Sequence, residues 1–230
     1  MIINGFLKMT LLDYPQHVAC TVFTGGCNMR CPFCHNASLV TKTEQSERIP
    51  CEEIFDFLKK RQGLLDGVAI TGGEPLMQND IEDFIGEVRN LGYKIKLDTN
   101  GTFPQKLENL IKKEYVDYVA MDIKNCPERY AETIGCKEFD ITSVNESRLI
   151  LLSGIVDYEF RTTVVKQFHD SESIENAAKW IKGAKRYFLQ AFKDGGDLIG
   201  EGLCGLSKDE MLSLKKAAEI YVTNTYLRGV

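Results

Sequence analysis

The chain has 230 residues, of which 43% are hydrophobic and 27% are charged, and 28 Lys and Arg against 33 Asp and Glu give a net charge of −5. This length supports one large domain or two small ones with a substantial core, and the acidic balance argues against nucleic acid as a main partner. No apolar run approaches the roughly 20 residues that cross a bilayer, so we expect no membrane segment.

The N-terminal stretch MIINGFLKMTLLDYPQ does not have the pattern of a secretory signal, because Asn4, Gly5, Lys8 and Asp13 interrupt its apolar residues. We therefore expect a cytoplasmic protein in a reducing setting. In that setting the eight cysteines are expected to be thiols, metal ligands or catalytic groups rather than disulfides.

Short apolar, β-branched segments alternate with amphipathic segments along the chain, which predicts strands that alternate with helices. The predicted strands cover residues 18–23, 67–71, 93–101, 116–124, 156–165 and 186–192. The predicted helices cover 51–60, 80–91, 104–115, 127–135, 142–153, 173–183 and 207–221, and a glycine-rich loop is expected at 193–205. Pro104 suits a first helical position, and Ser207 with Glu210 forms a capping box.

Six strand–helix units in succession predict a parallel sheet with right-handed crossovers. Because no Pro- or Ser-rich linker interrupts them, we expect one domain over residues 1–230. The pattern alone allows either an open doubly wound sheet or an incomplete barrel. A full barrel would need eight units, for which the chain has no room.

Polar residues follow each predicted strand at its carboxyl end. The cysteine loop 24–36 follows the first strand. The later strands end at Thr71, Gly72, Gly73 and Glu74, at Asp98, Thr99 and Asn100, at Asp122 and Lys124, at Arg161 and at Gln190. In a parallel α/β architecture these ends share the face that holds the active site, so we predict that they converge on one pocket. Plainer interpretations stay open, such as a simple tight turn at the two glycines or structural pairing of Asp122 with Lys124 or Arg161.

Three of the cysteines, Cys27, Cys31 and Cys34, lie within eight residues in the loop GGCNMRCPFCHN. Four interpretations of this trio are open: a disulfide framework, a zinc site with His35, an iron–sulfur cluster, or uncoordinated thiols. A four-iron cluster on three cysteines would leave one iron free to bind a substrate or cofactor. The remaining cysteines are scattered and are expected to be small buried hydrophobes: Cys20, Cys51, Cys126, Cys136 and Cys204.

The spacing Cys-x3-Cys-x2-Cys with an aromatic residue before the third cysteine, GCNMRCPFC, resembles the signature of the radical S-adenosylmethionine (radical SAM) superfamily. TGGEP at 71–75 resembles the second motif of that superfamily. The segments LLDYPQHVACTVFTGGCNMRCPFCHN, LDTNG and VDYVAMDIK further resemble the glycyl-radical-enzyme activating enzymes, most of all those of anaerobic ribonucleoside-triphosphate reductase. The resemblance implies a partial (β/α)6 barrel of parallel strands with outer helices. Gln16 departs from it, since these proteins often have glycine there.

The resemblance also implies roles for individual residues. Cys27, Cys31 and Cys34 would bind a [4Fe-4S] cluster, whose open iron would chelate the amino and carboxylate groups of S-adenosylmethionine (SAM). The implied SAM-binding residues are Phe33, His35 and Asn36 near the adenine, Gly72, Gly73 and Glu74 near the amino group, Lys124 near the carboxylate, and Arg161 and Gln190 at the neighbouring strand ends. Asp98, Thr99 and Asp122 would hold a monovalent cation beside the SAM carboxylate.

The activity implied by the resemblance is reductive cleavage of SAM to a 5′-deoxyadenosyl radical that takes hydrogen from a glycine of another enzyme. The implied partners are a glycyl radical enzyme, first of all anaerobic ribonucleotide reductase, and a one-electron donor such as flavodoxin or ferredoxin. Two alternatives stay open. One is a radical SAM enzyme that acts on a small molecule or peptide, and the other is a zinc-stabilised binding domain without catalysis.

Overall fold

One eight-stranded sheet runs through the computed structural model, which describes residues 1–43, 45 and 47–230. The strands are β1 (Ile3–Thr10), β2 (Ala19–Thr24), β3 (Gly67–Gly72), β4 (Lys94–Thr99), β5 (Tyr118–Asp122), β6 (Asp157–Val164), β7 (Tyr187–Ala191) and β8 (Thr225–Arg228). Strands β2 to β7 correspond to the six predicted strands. The sequence patterns predict neither β1, where Gly5 and Lys8 interrupt the apolar residues, nor the four-residue β8.

The strand order in the sheet follows the chain from β1 to β8, with β1 antiparallel to β2 and every later neighbouring pair parallel. Right-handed crossovers in such an order place the connecting helices on one side of the sheet. A doubly wound sheet instead reverses its strand order part-way along. The sheet is therefore a partial barrel with outer helices, and β1 and β8 form its two edges.

Amphipathic helices cover the outer side of the sheet, as in α3 (Ile81–Asn90), where the buried residues Ile81, Phe84, Ile85 and Val88 repeat at helical spacing. The predicted capping box at Ser207 is present. Residues 127–135 form a 3₁₀ turn and a short helix rather than one helix, and the sequence patterns do not predict α1. The helices are α1 (Ala37–Thr41), α2 (Cys51–Lys59), α3 (Ile81–Asn90), α4 (Pro104–Lys112), α5 (Tyr130–Thr133), α6 (Thr142–Leu152), α7 (Ser171–Trp180) and α8 (Lys208–Glu219), with 3₁₀ turns at Pro75–Met77 and Pro127–Arg129.

Burial divides the scattered cysteines into three groups. Cys20 and Cys126 are buried, which confirms the expectation for these two, and Cys51 and Cys136 are half-buried. Cys204 is exposed in the glycine-rich loop 193–205, so the expectation of a buried hydrophobe is wrong there. None of the helices in the described part of the chain is long and apolar enough to span a membrane.

Gln16 has a backbone φ of 64°. This is the left-handed region, which glycine enters without the steric penalty of a Cβ atom. The conformation explains the glycine that the resembling proteins often carry at this position.

Candidate active site

A cavity of about 390 Å³ lies at the carboxyl ends of the parallel strands, against the cysteine loop. Strand register brings residues from neighbouring strands to the same face, since Asp122 pairs with Arg161 and Thr163 pairs with Gln190. All predicted site residues except Glu74 line the cavity: Cys27, Cys31, Phe33, Cys34, His35, Asn36, Gly72, Gly73, Asp98, Thr99, Asp122, Lys124, Arg161 and Gln190. The six predicted strand ends thus meet in one place.

Backbone hydrogen bonds from distant loops hold the cysteine loop at the cavity. Arg30 N donates to Ile134 O at 3.1 Å, and Gly200 N donates to Pro32 O at 2.8 Å. These contacts satisfy polar backbone groups of a loop that lacks regular structure. The loop is therefore held by the segment after α5 and by the glycine-rich loop.

The thiols of Cys27, Cys31 and Cys34 are free and face the cavity. Burial raises the pKa of Cys31 to about 12; the Lys124 charge lowers it in part, and the nearby Cys27 and Cys34 raise it further. Proton loss at such a thiol is costly unless a metal binds the thiolate and compensates its charge. The chemistry of the three donors therefore favours metal ligation.

The Gly72-Gly73 turn lets the end of β3 approach the start of the cysteine loop. A Cβ atom on Gly72, where φ is 110°, would lie 2.5 Å from the Thr24 backbone, and a Cβ atom on Gly73 would lie 1.9 Å from Gly26 O. Gly73 N donates to Thr24 O and Glu74 N donates to Gly26 O, both at 2.8 Å. Only residues without a side chain permit this approach. The tight turn at Gly72 and Gly73 is thus part of the cavity wall.

Glu74 is buried behind the cavity and does not line it, so its role beside the amino group of SAM stays a prediction. Glu74 is 0% exposed. Its Oε1 accepts from Leu76 N at 3.0 Å and from Thr99 Oγ1 at 2.8 Å. Its Oε2 accepts from Asn100 N at 2.6 Å. A buried carboxylate needs such donors. These donors join the end of β3 to the end of β4, so Glu74 positions the two strand ends.

We expect the free energy of unfolding to fall as the pH rises from about 4.5 to about 7, because burial raises the pKa of Glu74 from 4.5 to about 7. In this window the folded protein holds a proton that the unfolded chain has released, so raising the pH favours unfolding. At about 1.36 kcal/mol per pH unit, the loss amounts to about 3 kcal/mol. Urea unfolding at several pH values measures it.

The Glu74→Gln variant should lack this pH-dependent loss of stability, because its amide does not titrate. It should also be less stable by about 1–3 kcal/mol, since its NH₂ group faces a backbone N–H and leaves that donor unpaired. Glu53→Gln, at an exposed position of α2, should keep the wild-type slope. A wild-type slope in Glu74→Gln would show that another group carries the effect.

Charged side chains in the cavity pair with one another. Arg161 Nε donates to Asp122 Oδ1 at 3.0 Å, and Arg161 Nη1 donates to Asp98 Oδ2 at 3.1 Å. Lys124 Nζ donates to Asp122 Oδ2 at 2.8 Å, and Lys96 Nζ pairs with Asp98. Burial opposes ionisation of Asp122, but Arg161 and Lys124 outweigh it and hold the pKa of Asp122 at about 2. The structural pairing of Asp122 is therefore observed with both proposed partners.

This pairing gives no support to the predicted monovalent-cation site at Asp98, Thr99 and Asp122. Both carboxylates already bind protein cations, and the Thr99 hydroxyl donates to Glu74. The Arg161 guanidinium bridges the two carboxylates and removes their mutual repulsion without a bound ion. The monovalent-cation site therefore stays a prediction, and the Arg161 guanidinium is the positive charge observed between the two carboxylates.

Aromatic and amide side chains form the wall nearest the cysteine loop. The His35 ring stacks on Phe192 with centroids 5.4 Å apart, and Phe33 packs against Phe168 at 5.7 Å. Burial and the Lys124 charge lower the pKa of His35, which favours the neutral ring. This wall therefore offers flat, uncharged surfaces to a ligand.

Thr71 and Asn100, which were predicted at the ends of their strands, also line the cavity. Further lining residues were not predicted: Asp13, Phe23, Met29, Val40 and Thr163. Some carried a usable signal, since Thr163 follows Arg161 by two residues on the same strand face and Asp13 lies in the LLDYP segment. Met29 and Val40 have no sequence signal that separates them from ordinary core residues.

Known proteins resemble this chain in sequence and in fold. The family model of the Radical SAM superfamily matches residues 21–144, more than half of the chain. A protein of Methanocaldococcus jannaschii that bears the name of a glycyl-radical enzyme activating enzyme is 34% identical over 100% of this chain and 96% of its own length. The chain belongs to the radical SAM superfamily.

Further proteins match this chain over part of their own length. The pyruvate formate-lyase-activating enzyme of Listeria monocytogenes is 34% identical over 47% of this chain and 48% of that protein. The structure of Streptococcus suis SuiB bound to precursor peptide SuiA has a TM-score of 0.72 at 16% identity, over 91% of this chain and 48% of that chain. The chain thus spans nearly all of the archaeal relative and about half of these two proteins.

The cavity residues of this radical SAM protein fit the two groups that the superfamily implies, a [4Fe-4S] cluster and SAM. Three free thiols at short spacing on a loop are the ligands that iron–sulfur clusters take. Among the described residues, no three His, Cys, Asp or Glu side chains are gathered to hold one metal ion. Thiolates that each bind a different iron of one cluster do not have to converge on a single metal ion. The cavity volume lies in the range of about 300–1,000 Å³ that small-molecule sites occupy.

Proposed function

We propose that this radical SAM protein is a glycyl-radical-enzyme activating enzyme and that the cavity at the strand ends generates its radical. The observation that carries the proposal is the meeting of three free thiols with polar strand ends in one cavity. The archaeal relative that bears the name of such an enzyme, with its nearly equal length and 34% identity, supports the activase role.

In this proposal Cys27, Cys31 and Cys34 hold a [4Fe-4S] cluster, which when bound supplies the electron that splits SAM and yields a 5′-deoxyadenosyl radical. The contribution of the protein is ligation, orientation and exclusion of water. Cys31 is 7% exposed and Phe33 is 4% exposed, so this wall of the cavity is largely closed to solvent.

The polar walls of the cavity suit a zwitterionic ligand such as SAM. Burial opposes the charge of Lys124, but Asp122 outweighs it and raises the pKa of Lys124, so the ammonium stays charged. An ammonium has three donors, so Lys124 retains donors for a ligand carboxylate besides the one bound to Asp122. The backbone of Gly72 and Gly73 is open to a ligand amino group, and His35 offers a flat face to the adenine.

The proposed substrate is a glycine in a large partner enzyme, because a backbone Cα must come close to the site of radical formation. The edges of the partial barrel at β1 and β8 leave a side by which a loop of another protein can approach. The first partner to test is anaerobic ribonucleoside-triphosphate reductase, with a flavodoxin or ferredoxin as the electron donor. The second candidate function is radical SAM chemistry on a peptide or small molecule.

The test is anaerobic incubation of iron- and sulfide-loaded protein with SAM and dithionite, with and without the reductase. We expect release of 5′-deoxyadenosine and the EPR signal of a glycyl radical on the reductase. Deoxyadenosine without a glycyl radical would contradict the reductase as partner and favour the second candidate. Purified protein that holds zinc without acid-labile sulfide would contradict radical SAM chemistry altogether.

A further inference from the structure

A closed ring of side-chain hydrogen bonds lies beside Cys27. Asn100 Nδ2 donates to Asn28 Oδ1 at 2.9 Å, and Asn28 Nδ2 donates to Thr102 Oγ1 at 2.9 Å. Thr102 Oγ1 closes the ring by donating to Asn100 Oδ1 at 2.6 Å. The same Asn100 Nδ2 lies 3.8 Å from Cys27 Sγ, at hydrogen-bond distance for sulfur. The ring thus joins the loop after β4 to a cysteine of the proposed cluster.

The ring determines which end of the Asn100 amide faces the sulfur. Asn100 Oδ1 accepts from Thr102 N at 3.0 Å as well as from the Thr102 hydroxyl. If the amide were turned by 180°, its NH₂ group would face the Thr102 N–H, and two donors would oppose each other. Nδ2 therefore points toward Cys27, and its orientation follows from the hydrogen-bond network.

Buried contacts also hold the backbone of Asn100. Its N donates to Glu74 Oε2 at 2.6 Å, and the two residues are 6% and 0% exposed. The amide is therefore held in place before any cofactor binds. A second donor, Met29 N, lies 3.4 Å from the same Cys27 Sγ. Cys27 thus has one donor from its own loop and one from the loop after β4.

We propose that Asn100 is a positioning residue that sets the reduction potential of the cluster held by Cys27, an inference that rests on the proposed function. Reduction by one electron, from a donor protein or from dithionite, adds one negative charge to the cluster and its sulfur ligands. No bond breaks and no proton moves in this step. An N–H aimed at the sulfur stabilises the reduced form more than the oxidised form, because the reduced form carries more negative charge.

The test is an anaerobic potentiometric titration of cluster-loaded protein, with dithionite and redox mediators, followed by the EPR signal of the reduced cluster. Asn100→Ala removes the donor and should lower the equilibrium constant for reduction about tenfold, which for one electron is about 59 mV more negative. Asn100→Asp keeps the acceptor for Thr102 but places a carboxylate oxygen near Cys27, so its shift should have the same sign and be larger. Asn109→Ala, which removes an amide bound to Glu82 outside the cavity, should have the wild-type potential.

A wild-type potential in Asn100→Ala at full iron and sulfide content would overturn the inference, and so would a positive shift in Asn100→Asp. If these variants lose the cluster, Thr102→Val is the deciding test. It removes the hydroxyl that donates to Asn100 Oδ1, so the side-chain amide is held less firmly while Asn100 itself stays. A smaller negative shift in Thr102→Val supports the inference, and a wild-type potential there overturns it. Wild-type protein that binds no iron and sulfide contradicts the proposed function instead, so the two failures are distinguishable.

Discussion

Replacing Cys31 with alanine is expected to abolish the release of 5′-deoxyadenosine and to lower the iron and sulfide content of the reconstituted protein. Cys31 is 7% exposed and faces the same cavity as Cys27 and Cys34, so the cluster would lose one of three protein ligands. Removing a group that merely supports a metal ligand already costs about 10–100-fold in affinity or activity, so removing the ligand should cost at least about 100-fold. Anaerobic incubation with SAM and dithionite, with metal analysis in parallel, measures both effects.

Cys204→Ala is the matched control for this experiment. Cys204 is also a free cysteine, but it is exposed and does not line the cavity. Its variant should bind iron and release deoxyadenosine at the wild-type rate. Wild-type release by Cys31→Ala would contradict the proposed cluster ligation.

Gly73→Ala is expected to destabilise the protein by about 3 kcal/mol, near the upper end of what overpacking usually costs. A Cβ atom at this position would lie 1.9 Å from Gly26 O, a backbone atom that cannot turn away as a side chain can. The end of β3 and the start of the cysteine loop must therefore separate. We expect weaker SAM binding as well, measured by equilibrium dialysis, beside the free energy of unfolding in urea.

Gly195→Ala provides the same chemical change without the contact. No atom lies within 4 Å of a Cβ atom at Gly195, so its stability should change by less than about 0.5 kcal/mol. Equal stability of Gly73→Ala and Gly195→Ala would show that the turn can open at no cost, and the tight approach of β3 to the cysteine loop would then lose its proposed role.

The sequence pattern predicts the inner strands of this fold because they carry apolar residues in a nearly continuous run, as in β2 and β5, or in alternation, as in β4. Strand β2 has five buried residues out of six, and β5 has four out of five. The edge strand β1 has no such run, since Leu7, Lys8 and Met9 are exposed. An edge strand packs on one neighbour alone and therefore leaves a weaker signal in the sequence.

The cavity could be predicted from the sequence because chain order largely determines it. A parallel sheet brings every strand end to one edge, so Asp98, Asp122 and Arg161 had to meet wherever the six units formed. The direction in which a carboxylate side chain points could not be predicted from chain order. Glu74 follows the end of β3 beside two lining glycines, yet its side chain turns into the protein to bind Thr99 and the backbone.

Local patterns in the sequence predict the strand–helix units, and the cysteine motif predicts radical SAM chemistry through its resemblance to that superfamily. The pairing of charged groups in the cavity and the donor that faces Cys27 became visible with the folded chain, because they join distant parts of the sequence. Arg161 bonds to carboxylates 39 and 63 residues away, and Asn100 approaches a thiol 73 residues away. Such partners depend on the register between strands and on loop packing, where a shift of one residue reverses the direction of every side chain.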